Sequence, residues 1–217
     1  MTALNAFIFD LDGVLTDTAE YHYRAWKRLS DENNLPFTRE DNDQLRGVSR
    51  QESLRRLLKG KVIPEAQFEA WLTLKNDYYL TFLAELSPAD LLPGVARFLD
   101  DAHARGIKLG VGSASKNAHM VLERLGIMPR LDAVGDGYSV TNGKPAPDLF
   151  IWVSGRLNVS PANSVVFEDS EAGIEAALAG GMYVVGLGPK ERVARASVIV
   201  PDLADTTVDQ ILEKLQG

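Results

Sequence analysis

Two carboxylates, Asp10 and Asp12, stand two residues apart at the end of an uncharged run and directly before a glycine, in Phe7-Ile8-Phe9-Asp10-Leu11-Asp12-Gly13-Val14-Leu15-Thr16-Asp17-Thr18. A short apolar run bounded by turn residues predicts a strand buried on both faces of a parallel sheet. Alternation with period two points both acids to the same side, and Gly13 lets the chain turn sharply beyond them. In an open α/β sheet, the space outside the carboxyl end of a strand is where ligands bind. Two acids held together there repel unless a cation or a shared proton relieves them. The chemistry on offer is therefore cation binding or proton transfer. An ordinary strand end with an Asp-Gly turn accounts for the same few residues, so further parts of a site must be found.

Three more stretches supply them in order along the chain. Leu109-Gly110-Val111-Gly112-Ser113-Ala114-Ser115 predicts a second strand ending in a hydroxyl, with Lys116-Asn117 leading into a helix. A helix start offers unpaired N–H groups and a positive dipole end to an anion. Lys144 stands in Asn142-Gly143-Lys144-Pro145-Ala146-Pro147-Asp148, and Val165-Val166-Phe167-Glu168-Asp169-Ser170 is another apolar run ending in acids. Alone, each has a plain structural explanation: a helix cap, a loop lysine, a turn. Together and in this order they resemble the four motifs of the haloacid dehalogenase superfamily of phosphoryl-transfer enzymes. The resemblance implies that Asp10 attacks a phosphoryl group and that Asp12 is the general acid and base. Carboxylates do form acyl phosphates, and a second carboxyl can shuttle a proton when its pKa is raised. It further implies that Ser113 and Lys144 hold the transferring group and that the acids at 168–169 belong to a magnesium site. Hard oxygen ligands beside phosphate suit Mg²⁺.

Composition is compatible with that reading. The chain has 217 residues, enough for one domain with an insertion, and is 45% hydrophobic and 24% charged, as in an ordinary globular protein. A net charge of −7 argues against a nucleic-acid partner, which a basic face would serve. No basic segment precedes the first apolar run, and no apolar stretch approaches the ~18 residues of a membrane span. Neither a secretion signal nor a membrane partner is expected. The absence of cysteine excludes disulfides, thiolate catalysis and Cys-ligated zinc, and fits a cytoplasmic location.

The periodicity changes twice. About seventy residues after Thr18 carry helical stripes (Ala19, Tyr23, Trp26 and Leu29; Leu54, Leu57 and Leu58; Trp71, Leu74 and Tyr78), punctuated by Pro36, Gly60 and Pro64. From Leu92-Pro93-Gly94 onward, helices alternate with strands at 107–111, 133–134, 165–167, 183–185 and 198–200. The expected fold is α/β: a Rossmann-like core with a parallel sheet, built from 1–16 and 92–217, and an inserted all-helical cap at 17–91. His103 and His119 are expected on the surface of core helices, and Trp26, Trp71 and Trp152 in core or interdomain packing. Within the insertion, Leu45-Arg46-Gly47-Val48-Ser49-Arg50-Gln51-Glu52-Ser53 places two arginines about a helix start, a pattern suited to an anion. Ser49 and Glu52 also match a capping box.

Here the resemblance narrows to the β-phosphoglucomutase subfamily, through D-G-V-L-T-D-T-A-E-Y-H, G-V-S-R-x-x-S-L, L-K-N-D-x-Y, S-P-A-D, S-A-S-K-N, K-P-A-P-D and E-D-S-x-A-G-I. It implies an isomerase that interconverts β-D-glucose 1-phosphate and D-glucose 6-phosphate, with Mg²⁺ as cofactor and β-glucose 1,6-bisphosphate as activator and intermediate. By the same resemblance the metal is held by Asp10, the Asp12 carbonyl and Asp169, with Glu168 supporting it. Arg50 grips the phosphate that is not transferred, while Ser113, Ala114 and Lys144 hold the one that is. Gly47, Val48, Ser49, Ser53 and Lys75 line the sugar pocket, with Ser115, Lys116 and Asn117 facing it. Thr18 and His22 belong to a hinge. The subfamily often has Lys where Arg46 stands, which keeps the charge and alters the hydrogen-bond fork. A monomer acting on small phosphosugars is expected. The alternatives are a magnesium-dependent sugar-phosphate phosphatase on the same scaffold, or a non-catalytic phosphosugar-binding protein.

Overall fold

The computed structural model describes residues 4–216. Its first strand, β1 (Ala6–Phe9), is wholly buried. Four helices follow: α1 (Ala19–Glu32), α2 (Arg39–Asp43), α3 (Arg50–Leu58) and α4 (Glu65–Leu83). The chain then alternates through α5 (Val95–Ala104), β2 (Lys108–Gly112), α6 (Ala118–Arg124), β3 (Ala133–Gly135), α7 (Asp148–Arg156) and β4 (Ser164–Glu168). It closes with α8 (Glu171–Ala179), β5 (Tyr183–Leu187), α9 (Lys190–Val193), β6 (Val198–Val200) and α10 (Val208–Gln216). Among the described residues the strands form one six-stranded sheet in the order β3-β2-β1-β4-β5-β6, with every pairing parallel. This is the doubly wound arrangement, and the strand order reverses beside β1, where such sheets bind ligands.

The alternation in the sequence decides which face each side chain serves. Phe7, Phe9 and Leu11 enter one core cluster with Phe98 and Val121, while Ala6 and Ile8 join Phe150 and Val166 on the opposite face. The ladder outlasts the regular strand: Asp10 N–H still donates to the Phe167 carbonyl at 2.9 Å. Asp10 and Asp12 lie just past the end of β1 rather than inside it, a boundary difference that leaves the alternation intact through Leu11. Glycine permits close layers at Gly110, where a Cβ would come within 2.6 Å of Val153.

The four helices after β1 surround their own cluster, in which Trp26, Leu29, Leu54, Leu57, Trp71 and Leu72 are buried. The buried stripe of α4 runs Phe68, Trp71, Leu72, Lys75, Tyr79 and Leu83; it keeps the expected Trp71 and buries Lys75 and Tyr79 more deeply than the expected Leu74 and Tyr78. A lysine therefore occupies an apolar stripe. At the junction with the sheet, Leu92 N–H donates to the Leu15 carbonyl at 2.9 Å, and Thr16 bridges Leu91. The two connections thus leave the core side by side. Ser49 caps α3 by accepting from Glu52 N–H at 3.2 Å, but the Glu52 carboxylate turns to Arg56, so only half of the expected capping box forms. A full box does form at Thr38 and Asp41.

Phe167 stacks on Phe9 with centroids 4.6 Å apart and meets Phe7 and Phe98 at 5.1 and 5.3 Å. Phe167→Ala is expected to lower unfolding free energy by about 3–5 kcal/mol, through lost transfer energy and a residual cavity. Urea unfolding of the two proteins checks this, and a loss below about 1 kcal/mol would contradict a tightly packed ring cluster.

Candidate active site

The carboxyl ends of β1, β2 and β4 bring Asp10, Ser113, Glu168 and Asp169 to one edge of the sheet. Lys144, from the loop before α7, enters from below. Its ammonium is buried, donates to Asp10 Oδ1 at 2.5 Å and to Glu168 Oε1 at 2.7 Å, and lies 4.6 Å from the Phe150 ring centroid. The flanking acids hold its pKa above the usual lysine value despite burial. Glu168 Oε2 accepts from Ser170 N–H at 2.7 Å and from the Ser170 hydroxyl at 2.9 Å. Both oxygens of Glu168 are thus committed, so any support it gives a metal is indirect: it fixes Lys144 and the turn into α8.

Burial works against the acids' charges. It raises Asp10 to about 6, with Lys144 lowering and Glu168 raising it. Asp12 is pushed up to about 8 by burial and by the Asp10 and Asp169 charges. Asp169 rises to about 7 by burial, Glu168 and Asp10, against the pull of Arg46 and Arg192. A raised Asp12 pKa suits a carboxyl that both accepts and returns a proton near neutral pH. A divalent cation would relieve this mutual repulsion. No group of three or more His, Cys, Asp or Glu side chains among the described residues could hold a metal ion by itself. Two carboxylates, Asp10 and Asp169, with the Asp12 carbonyl still fit Mg²⁺, which commonly takes one or two carboxylates and fills its octahedron with water and phosphate oxygens.

A chamber separates this edge from the helical insertion. Asp10, Asp12 and residues 113–117 line it from the sheet; His22, Arg46, Gly47, Val48, Arg50, Ser53 and Lys75 line it from the helices. Thr18, Ser49, Lys144, Glu168 and Asp169 lie outside that lining. Thr18 donates to Asp12 Oδ1, Ser49 is occupied as a cap, and Lys144 and Glu168 lie beneath the floor. Asp169 faces a second cavity instead, together with Gly13, Arg46 and Arg192. Gly47 has φ +72°, and a Cβ there would fall 2.2 Å from the Ser170 hydroxyl, so the helical loop sits directly on the catalytic turn. Arg46 reaches across the same seam to Asp169 Oδ2 at 3.1 Å, binding a carboxylate as well as lining the chamber.

The buried Lys75 pairs with the half-buried His22, Nζ to Nδ1 at 2.8 Å. Burial and the nearby Arg50 lower Lys75 well below its ordinary pKa, and burial with Lys75 does the same to His22. When the imidazole accepts the Lys75 hydrogen bond at Nδ1, its own proton stands on Nε2, which lies 3.9 Å from Asp12 Oδ2. The ring stacks on Tyr79 at 4.1 Å. Asn117 donates to Asn76 at 2.9 Å, joining the phosphate-loop segment to α4.

Several residues were not anticipated as part of the site. Trp26 is core as expected, yet it also lines the chamber with Lys75 4.9 Å from its ring centroid. Asn76 stands in the L-K-N-D segment and could have been found there. Tyr79 ends the same L-K-N-D-x-Y segment, whereas Asn42 and Arg192 carry no local signal, because the long-range fold alone brings them to the site.

Fold and site define a phosphoryl-transfer scaffold, and a family model for haloacid dehalogenase-like hydrolases matches residues 4–181. The chain belongs to that family. Within it, the chain is 39% identical to the β-phosphoglucomutase of Bacillus subtilis, covering 97% of this chain and 95% of that protein. The crystal structure of a β-phosphoglucomutase from Clostridium difficile matches with a TM-score of 0.95 at 38% identity, over 98% of this chain and 97% of that one. A phosphorylated-carbohydrate phosphatase of Thermotoga maritima is 32% identical, covering 82% of each.

The support under the floor gives a prediction. A Cβ on Gly173 would lie 1.7 Å from Glu168 Oε1. Gly173→Ala is expected to displace Glu168, leave Lys144 with one partner and reduce phosphoryl transfer at least tenfold, although none of the reacting groups is changed. Phosphoryl-transfer kinetics with thermal melting check this, and wild-type values in both would show that Glu168 is not needed to hold Lys144.

Proposed function

We propose that this chain is a β-phosphoglucomutase, interconverting β-D-glucose 1-phosphate and D-glucose 6-phosphate through phosphorylated Asp10 and β-glucose 1,6-bisphosphate. The observation that carries the reading is the charge layout of the chamber. Lys75 and Arg50 face it from the helices, and neither has a carboxylate partner among the described residues. Burial lowers the pKa of both. Unpaired cations in a desolvated site are costly, and phosphate satisfies them. Opposite them, Ser113, Ala114 and Lys116 line the chamber from the core, and Lys144 donates to Asp10 beneath it. A sugar carrying a phosphate at each end spans the two regions.

In this reading residues 17–91 are a cap and the remainder is the core, with the hinge where Leu15–Thr16 meets Leu91–Leu92. With Asp10 phosphorylated, Asp12 takes the proton of the sugar hydroxyl as the new O–P bond forms and the Asp10–phosphorus bond breaks. The bisphosphate then reorients. Asp10 attacks the other phosphorus, that sugar O–P bond breaks, and Asp12 returns its proton to the leaving oxygen. Arg50 can seat either phosphate while the other reacts. Mg²⁺, when bound, supplies positive charge that offsets the carboxylate and phosphoryl oxygens. Thr18 orients Asp12, and its place in the hinge connects cap position to the acid. Gly47, Val48 and Ser53 shape the sugar pocket, with Ser115, Lys116 and Asn117 opposite and Ser49 capping α3 behind them. A monomer acting in the cytoplasm on small phosphosugars completes the reading; the chain carries a net charge of −7, and no described helix is long and apolar enough to cross a membrane.

Asp10→Asn is expected to abolish both mutase and hydrolytic turnover, since an amide cannot form the acyl phosphate. Asp12→Asn should keep sugar-phosphate binding and lose roughly 10²- to 10⁴-fold in rate, the usual cost of removing an acid–base group. Steady-state assays with a trace of bisphosphate measure both, and substantial turnover by the Asp10 variant would refute the nucleophile assignment.

Arg50 separates mutase from phosphatase. Arg50→Ala removes a charge-assisted contact to the non-transferring phosphate while leaving Asp10, Asp12, Ser113 and Lys144 in place. Glucose 6-phosphate formation should fall by about 10²-fold or more, as when a charged contact worth roughly 3 kcal/mol is lost. Hydrolysis of the aspartyl phosphate should change much less. Arg50→Lys should recover part of the flux, since it keeps charge without the planar fork. Following both products on one preparation is the deciding measurement. Release of free phosphate as the main product of the unmodified protein would favour the phosphatase.

A further inference from the structure

Asp169 presents two oxygens, and the structure uses them differently. Oδ2 is held from both sides of the seam, by Arg46 of the α2–α3 loop at 3.1 Å and by Arg192 of α9 at 3.5 Å. Oδ1 accepts no side-chain or backbone hydrogen bond among the described residues. Arg192 also donates from Nε to the Asp169 carbonyl at 2.6 Å. One guanidinium therefore engages both the backbone and the carboxylate of the same residue. Arg192 makes no ion pair with another acid among the described residues, although Asp17 and Asp202 line the same cavity. The approach depends on Gly188: with φ +107°, it passes beneath the guanidinium, and a Cβ there would lie 2.8 Å from Nη2.

We propose that Arg192 is a positioning residue for the metal-binding carboxylate: it fixes the Asp169 main chain and Oδ2 so that Oδ1 is presented to the cation. This rests on the reading of Asp169 as a magnesium ligand and is independent of whether the enzyme is a mutase or a phosphatase. A carboxylate free to rotate would have to be ordered at the moment of metal binding. One held at its carbonyl and at one oxygen has that order already, as partners of ligating side chains commonly provide. Simple electrostatics points the other way, since a cation placed near a metal site weakens metal binding through repulsion. The two effects have opposite signs, so the measurement separates them.

The test is direct titration of the purified full-length protein with Mg²⁺, without sugar, by calorimetry, supported by Mn²⁺ binding followed by electron paramagnetic resonance. Arg192→Met, which keeps the stem and removes charge and donors, should weaken metal affinity by about tenfold or more, the usual range for outer partners of metal ligands. Arg192→Lys should fall between, because an ammonium cannot hold the carbonyl and the carboxylate together as a fork does. Melting temperatures in EDTA should stay close to the parent, while the rise on adding Mg²⁺ should shrink. Unchanged or tighter Mg²⁺ binding by folded Arg192→Met would overturn the proposal. If that variant does not fold, parent-like affinity in Arg192→Lys would overturn it instead. Absent mutase flux alongside the expected affinity loss would count against the proposed function and leave Arg192 in its role. No Mg²⁺ binding by the parent protein would overturn both the ligand assignment and the role of Arg192.

Discussion

The site depends on one buried ammonium. Asp10, Glu168 and Asp169 converge where water is scarce, and Lys144 is the cation placed between the first two. Removing one partner of a buried ion pair typically costs about 3–5 kcal/mol, because the other charge is left stranded. The rest of the local architecture follows from keeping Lys144 paired. Glu168 must be oriented, so Ser170 binds its second oxygen and then caps α8 by accepting from Gly173 N–H at 3.1 Å. Gly173 must lack a side chain because Glu168 occupies that space. Gly47 in turn packs on Ser170, so the position of the helical loop is tied to the same residues that hold Lys144 and, through it, Asp10.

The two halves of the molecule carry opposite charge toward each other. The core edge is acidic, with Asp10, Asp12 and Asp169 all raised by burial and mutual repulsion. The insertion contributes Lys75 and Arg50, both disfavoured as cations by burial. Across the seam Arg46 neutralises Asp169 directly, and His22 stands 3.9 Å from Asp12. Elsewhere the charges face a chamber, and a phosphorylated ligand with a hard cation would satisfy both sets at once. This is electrostatic preorganisation: the groups are held where charge will be needed, without reorganisation during the reaction.

Much of this was legible in the chain because strand ends are simple objects. An apolar run that stops at an acid or hydroxyl places that residue at the sheet edge, which located Asp10, Ser113 and the Glu168–Asp169 pair. Alternation also survived the early end of β1, since Asp10 keeps its ladder bond to Phe167. What local pattern could not supply was the partner list. Ser49 and Glu52 fit a capping box in sequence, yet Arg56 competes successfully for the Glu52 carboxylate. The stripe on α4 was partly misplaced because Lys75 counts as polar, although its ammonium is accommodated by His22 and the faces of Trp26 and Tyr79. Arg192 lies 23 residues beyond Asp169 on a four-residue helix, and only the β4–β5–β6 topology brings them together.

The family's core serves phosphatases and mutases alike, so the chemical distinction must arise where the insertion meets the acid. Asp12 accepts from Thr18, the residue at the start of α1, and faces His22 one turn later. His22 is paired to Lys75 on α4, and Lys75 shares the chamber wall with Arg50. A set of contacts therefore runs from Asp12 through His22 to Lys75, which lines the chamber with Arg50, the residue that would sense the distal phosphate. Water bears no second phosphate, so it cannot satisfy Arg50, and it lacks the binding energy to hold this set in one arrangement. Discrimination between a sugar hydroxyl and water can then be derived from cap alignment of Asp12, with the phosphoryl-binding core unchanged between the two outcomes.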